Sequence, residues 1–152
     1  MRITIACVGK MKSSPEQELL RKYLKQCPWK CTIHEIESKK SLSTDQRKTA
    51  EAEQLLSLTA TAHQRIALDE RGQTLSSETL AAQFGQWQQQ GSSHIAICIG
   101  GADGLDETVR NASQLILSFG AMTWPHMLVR AMLAEQLYRL HTILTNHPYH
   151  RS

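Results

Sequence analysis

Three short stretches hold residue types able to bind or transform a small molecule, and each follows a run that reads as a β-strand. Gly100-Gly101-Ala102-Asp103-Gly104 follows the apolar run 95–99. Leu68-Asp69 ends the run 65–69, and Ser118 to Arg130 (Ser-Phe-Gly-Ala-Met-Thr-Trp-Pro-His-Met-Leu-Val-Arg) follows Leu115-Ile116-Leu117. Glycines let a backbone approach a ligand closely. Open α/β sheets bind ligands beyond the carboxyl ends of their strands. Three such loops together would make a crevice with apolar walls, exposed amides and carbonyls, and little charge, which suits an adenine-bearing ligand. Taken alone, Gly100–Gly104 reads equally well as a tight turn between strand and helix. A fourth stretch is the tail His147-Pro148-Tyr149-His150-Arg151. Residues 124–152 hold His126, His141, His147 and His150, three arginines and one acid, a set of donors and bases for an anionic substrate.

Several chemistries are excluded. The glycine run is not G-x-G-x-x-G and has no acidic residue about 20 positions on, so a nicotinamide cofactor is not expected. No Gly-Lys-Ser/Thr makes a phosphate loop, and no G-x-S-x-G elbow supports a serine nucleophile. Cys27 and Cys31 are spaced C-x3-C with no second pair to complete a zinc site. No metal is expected, and all four cysteines read as free thiols.

The elements that must position these loops alternate strictly. Strands are expected at 2–8, 31–36, 65–69, 95–99 and 115–117. Helices begin at two capping boxes, Ser14-Pro15-Glu16-Gln17 and Ser43-Thr44-Asp45-Gln46, and at Ser76-Ser77-Glu78. Asp69-Glu70-Arg71-Gly72 reads as a polar turn. A short helix to about 112 and a long one from about 126 to 144 complete a βαβαβαβαβα order, which argues for an α/β open parallel sheet with helices on both faces. The last helix is apolar on nearly every side, with Met127, Leu128, Val129, Met132, Leu133 and Leu137 among its residues. Such a helix is expected to be buried all round. A single sheet covers only one of its sides, so a homodimer is expected to cover the other.

The 152 residues fit one domain, 1–152. No apolar run approaches the roughly 20 residues a membrane span needs, and the first eight residues read as a strand, not a signal peptide, so a cytoplasmic protein is expected. Formal net charge is +3. Twelve of the seventeen Lys and Arg fall within residues 1–65, among them Lys10, Lys12, Arg21, Lys22, Lys25, Lys39 and Lys40. They are either solvated helix faces or a phosphate-attracting surface.

Ile99 to Gly104, Leu117-Ser118 to Met122-Thr123-Trp124-Pro125-His126, Val129-Arg130, Ala134 to Arg139 and the ending His147 to Arg151 resemble the ribosomal RNA large subunit methyltransferase H family. Val8-Gly9-Lys10 and Leu68 to Gly72 fit too, so the resemblance runs end to end. It implies a SPOUT-type sheet with a carboxyl-terminal trefoil knot, S-adenosylmethionine as methyl donor, and a homodimer with the site near its interface. The implied reaction is N3 methylation of a pseudouridine in the helix 69 loop of 23S ribosomal RNA within the assembled 70S ribosome. Carried over by motif, the cofactor contacts fall on Leu68, Gly100, Phe119, Gly120, Ala121, Met122, Thr123 and Trp124, with Gly101 adjacent. Arg130, His126, Tyr149 and His150, with Arg151, are the substrate-side catalytic candidates, the tail of one subunit reaching the site of the other. Two alternatives stand beside it: a nucleotide-sensing or RNA-binding module that uses the same crevice without chemistry, and an unrelated flavodoxin-like enzyme.

Overall fold

The structure, a computed structural model, describes residues 1–151. Its elements run β1 (Arg2–Val8), α1 (Pro15–Gln26), β2 (Lys30–Ile36), α2 (Thr44–Leu58), β3 (Gln64–Thr74), α3 (Ser77–Gln89), β4 (His94–Ile99), α4 (Glu107–Asn111), β5 (Leu115–Ser118) and α5 (His126–Leu144). The five strands form one parallel sheet in the order β2-β1-β4-β3-β5. All their carboxyl ends therefore lie at one edge, and β4, β3 and β5 are neighbours there. The strictly alternating order and the two-faced open sheet read from the sequence are what is observed.

The period of two along each strand divides the core. Ile3, Ile5 and Cys7 of β1 join Ile95, Ile97 and Ile99 of β4 on one face, packed by Leu80, Phe84 and Trp87 of α3 and Leu133, Leu137 and Leu140 of α5. Ala6, Val8 and Cys98 face the other way, against Ala52 and Leu55 of α2 and Val109 of α4. β4 is buried along its whole length, as a central strand covered on both faces must be. Each fully buried leucine of α5 contributes roughly 1.5–3 kcal/mol of transfer free energy. Trp29 stacks on Phe84 with ring centroids 5.6 Å apart and locks the start of β2 onto α3.

Some local expectations change. Ser43 forms the full reciprocal capping box with Gln46. At α1, Ser14 accepts from the Gln17 amide, but the Gln17 side chain turns to the Met11 carbonyl, so that box is only half formed. Leu58 of α2 is exposed despite its apolar side chain, and the buried positions there are Glu51, Ala52 and Leu55. Ser38 donates to Glu51 at 2.6 Å, which gives the buried carboxylate a partner. The largest change is in β3, which does not end at Asp69. Leu68 and Gln73 both pair with Leu117 of β5, so residues 69–72 loop out and the strand resumes to Thr74. Gly72 permits the return, since a Cβ there would lie 2.6 Å from the Ile116 carbonyl.

At the amino edge His94 is buried. Its Nδ1 lies 2.9 Å from the Arg2 guanidinium and its Nε2 lies 2.8 Å from the Thr4 hydroxyl. Nδ1 also lies 3.2 Å from the Thr61 carbonyl, so the Arg2 donor and the Thr61 acceptor compete for that nitrogen. Burial, opposed by the Thr61 carbonyl and aided by Arg2, holds this imidazole below the ordinary histidine range. Burial does the same for His126 and His141. The folded chain thus takes up these protons at lower pH than the unfolded chain does. Stability is expected to be complete above about pH 6.5 and to fall as pH drops below it. Thermal melts between pH 8 and pH 5 check this, and His94→Gln should make the decline shallower.

Candidate functional site

The β3–β4 ladder ends at Leu68↔Ile99. Past that pair the two chains part, and a crevice of about 280 Å³ opens between them and the loop after β5. Its walls are the looped-out segment of β3 (Asp69, Glu70, Arg71), the β4–α4 loop from Gly100 to Gly104, and residues 117–124, with His126 and Val129 of α5 closing one side. Leu68, Gly100, Gly101, Phe119, Gly120, Met122, Thr123 and Trp124 are thus brought together around one space. Ala121 is exposed and lies outside it.

Each wall is held by identifiable contacts. The Gly100–Gly104 loop closes on itself through a bridge between Gly101 and Gly104. It is tight: a Cβ on Gly100 would meet Gly104 backbone at 2.6 Å. Arg47 of α2 donates through Nε and Nη2 to Asp103 at 2.9 and 2.6 Å and ties the loop to the helix behind it. The loop after β5 turns at Gly120, where buried Ser118 accepts from the Gly120 amide and donates to its carbonyl. Pro125 then starts α5 with no side-chain cap, so the amides of the first turn remain available beside the crevice. No local pattern marks Arg47, Asp103 or Ser118 as wall supports. Their partners are set by the fold, and Arg47 and Asp103 are 56 residues apart.

The residues expected on the substrate side divide. His126 stands at the crevice, neutral at neutral pH because burial, then Arg130, lowers its pKa. Arg130 does not line the crevice. Its side chain is 1% exposed, its Nη1 donates to Glu35 at 2.9 Å, and its Nη2 donates to the carbonyls of Val8 and Gly9 at 2.7 and 2.8 Å. It staples α5 to the end of β1, and the Glu35 charge offsets a cation buried near a helix amino end. The spacing His126/Arg130 is correct for one helix face, but that face turns Arg130 inward.

The tail is docked, not frayed, and away from its own crevice. Tyr149 donates to Glu135 at 3.0 Å, packs on Tyr138 at 4.6 Å between centroids, and lies under Arg139 at 4.9 Å. His150 sits 2.8 Å from Glu78. Glu135 is nine residues along α5 from His126, roughly 13 Å at 1.5 Å per residue. Burial and the neighbouring Glu135 raise the Tyr149 phenol, so at neutral pH it is a donor, not a base. Two of the buried thiols beneath the sheet edge are poor nucleophiles: burial pushes Cys7 up to about 12 and Cys98 to about 11.

Beside the crevice, and sharing Leu117, Ser118 and Phe119 with it, lies a groove of about 490 Å³ lined by Leu19 and Tyr23 of α1, Leu75, and Leu128 and Met132 of α5. Helix α5 is buried against α1, α3 and the sheet, but the side carrying Leu128 and Met132 is only half-buried and opens onto this groove. No helix among the described residues is long and apolar enough to cross a membrane.

The fold and the crevice define a class, the SPOUT methyltransferases: a family described as "Predicted SPOUT methyltransferase" matches residues 1–150. A probable methylase family protein from Haemophilus influenzae Rd KW20 shares the fold, with a TM-score of 0.62 and 11% identity over 99% of this chain and 70% of that one. Within that class the chain belongs to the ribosomal RNA large subunit methyltransferase H family. It is 47% identical over 152 residues, all of both chains, to the member from Rhodospirillum centenum, and 48% identical over 151 residues, 99% of each, to that from Paramagnetospirillum magneticum.

Proposed function

We propose that this chain, as one domain, methylates large-subunit ribosomal RNA from S-adenosylmethionine, and that its target is N3 of a pseudouridine in the helix 69 loop of 23S RNA in the assembled ribosome. The observation that carries the reading is the crevice where the β3–β4 ladder ends, in a chain matched end to end by this family. The site fits the cofactor in kind. Leu68, Leu117 and Phe119 offer an apolar wall for an adenine, and the loops at Gly100–Gly104 and Phe119–Trp124 offer backbone donors and acceptors with room made by glycine. When bound, S-adenosylmethionine supplies a methyl group on a sulfonium, an electrophile that needs no metal.

This chain's residues then have to place the base and manage one proton, since the imide N3–H is lost in the reaction. His126, neutral beside the crevice, can accept it. The uncapped amino end of α5 favours the negative charge that develops on the base. Tyr149, His150 and Arg151 act from the partner subunit, because in its own subunit Tyr149 is held at Glu135, about 13 Å along α5 from His126, and His150 is held at Glu78 of α3. The groove beside α5 and the exposed Met122 support a homodimer whose interface adjoins the crevice. Exposed Lys12, Arg21, Lys22, Lys25, Lys39 and Lys40 support steering toward an RNA backbone. A trefoil knot belongs to the same reading. β5 is an edge strand, yet α5 packs on α1 beside β1, so the chain between them passes over the crevice.

Thermal melts test the ligand. Addition of S-adenosylhomocysteine at 100 times its dissociation constant should stabilise the protein by about 2.7 kcal/mol. No shift would contradict the reading of the crevice as the cofactor site. Sedimentation at micromolar concentration should show a dimer, and a monomer would contradict the role given to the groove.

A further inference from the structure

Beyond Leu68↔Ile99 no ladder holds the β3 and β4 walls of the crevice together, and one side chain spans the gap. Arg110 of α4 donates through Nη1 to the carbonyl of Leu105, the residue after Gly104, and the same nitrogen lies 3.5 Å from Asp69 Oδ2. The other oxygen, Asp69 Oδ1, accepts from the Arg71 amide at 3.0 Å and so closes the looped-out segment on itself. The Asp69 side chain is 4% exposed and that of Arg110 16%, so the pair is shielded from solvent. Arg71 also approaches Asp69, at 3.8 Å, but its side chain is 61% exposed and contributes little. Arg110 itself stands on a fixed base. Val109 beside it is fully buried in the second core cluster, and Asp106 caps the helix by accepting from the Thr108 amide at 2.8 Å.

We propose that Arg110 is a positioning residue for cofactor binding. By clamping the Asp69 segment to the end of the Gly100–Gly104 loop, it fixes the width of the crevice before the cofactor arrives. Preorganised walls raise affinity because the ordering is already present in the free protein. The inference rests on the reading of the crevice as the S-adenosylmethionine site. It assigns Arg110 no contact with cofactor or RNA, so its loss should act on cofactor binding and leave the ribosome encounter alone.

The test compares wild type with Arg110→Met, Arg110→Lys and the double variant Asp69→Asn/Arg110→Met. Titration calorimetry with S-adenosylhomocysteine should show a Kd weakened at least ~10-fold in Arg110→Met and restored to within ~3-fold by Arg110→Lys. In steady state the KM for S-adenosylmethionine should rise to match, with kcat at saturating cofactor within ~2-fold and the KM for ribosomes unchanged. Hydrogen exchange on the ligand-free protein should show faster exchange of the Arg71 amide, a readout independent of turnover. Should Arg110→Met fail to fold because Asp69 is left buried and unpaired, the double variant removes both charges, and it should still bind weakly. A wild-type Kd in the double variant, or a loss confined to kcat or to the KM for ribosomes, would overturn the proposal. Absence of binding by the wild type would instead overturn the reading of the crevice on which it rests.

Discussion

A chain ending at Asn146 is expected to fold and to bind S-adenosylmethionine within about 3-fold of the full chain, yet to lose methyl transfer by at least ~1,000-fold, within the range that general acid–base groups contribute. Folding survives because every buried residue among those described lies at or before Thr142. Glu135 keeps Arg139 as its partner after the tail is gone. What is lost is the Tyr149 hydrogen bond and its packing on Tyr138, about 1–2 kcal/mol, together with its contact with Arg139 and that of His150 with Glu78. Cofactor binding survives because no tail residue lines the crevice. Calorimetry, melts and transfer assays on one preparation check all three. Full transfer by the truncated chain would remove the tail from the mechanism.

The second large effect is expected from Gly100→Ala. The added Cβ would meet three backbone atoms at once, Gly104 C at 2.6 Å, Gly104 O at 2.8 Å and Leu105 N at 2.9 Å. Backbone cannot step aside as the end of a flexible side chain can, so the whole β4–α4 turn has to move. The cost in stability is about 2 kcal/mol, a fall in Tm of about 4–8 °C. The same shift displaces the crevice wall, and the affinity for S-adenosylmethionine should drop roughly 30-fold or more, the equivalent of about 2 kcal/mol. Melts and calorimetry read the two losses separately. An unchanged Kd would mean that the cofactor does not use this loop.

Together these two variants separate action within a subunit from action across the dimer. Gly100→Ala leaves a subunit with a damaged crevice and an intact tail, and the truncated chain has the converse. If the tail serves the partner's crevice, mixed dimers should recover transfer at one site of two. Mixtures as inactive as their components would place the tail and crevice of one subunit together.

Much of this architecture was legible because it is written in local pattern. The apolar run 95–99, the capping residues Ser43 and Ser76, and the length of the last helix each specify an element without reference to the rest of the chain. The position of the crevice followed from parallel strands alone, since every βα loop then falls on one edge. The misreadings share a cause. Asp69-Glu70-Arg71-Gly72 has the composition of a turn, and only the second pairing to Leu117 makes it an excursion within a longer strand. Arg130 has the residue type of a phosphate or base contact, and only Glu35 and the carbonyls of Val8 and Gly9, more than ninety residues away in sequence, turn it into a buried staple. Arg110 and Arg47 were unremarked for the same reason. A guanidinium acquires its role from partners that the fold supplies.

The reaction itself is read by transfer of labelled methyl from S-adenosylmethionine to ribosomes lacking the modification. The expected result is label on one pseudouridine in the helix 69 loop, at N3, in assembled ribosomes. Cofactor binding without label in the RNA would contradict the account and leave an RNA-binding module, and label on another base or in another RNA would contradict the assigned target.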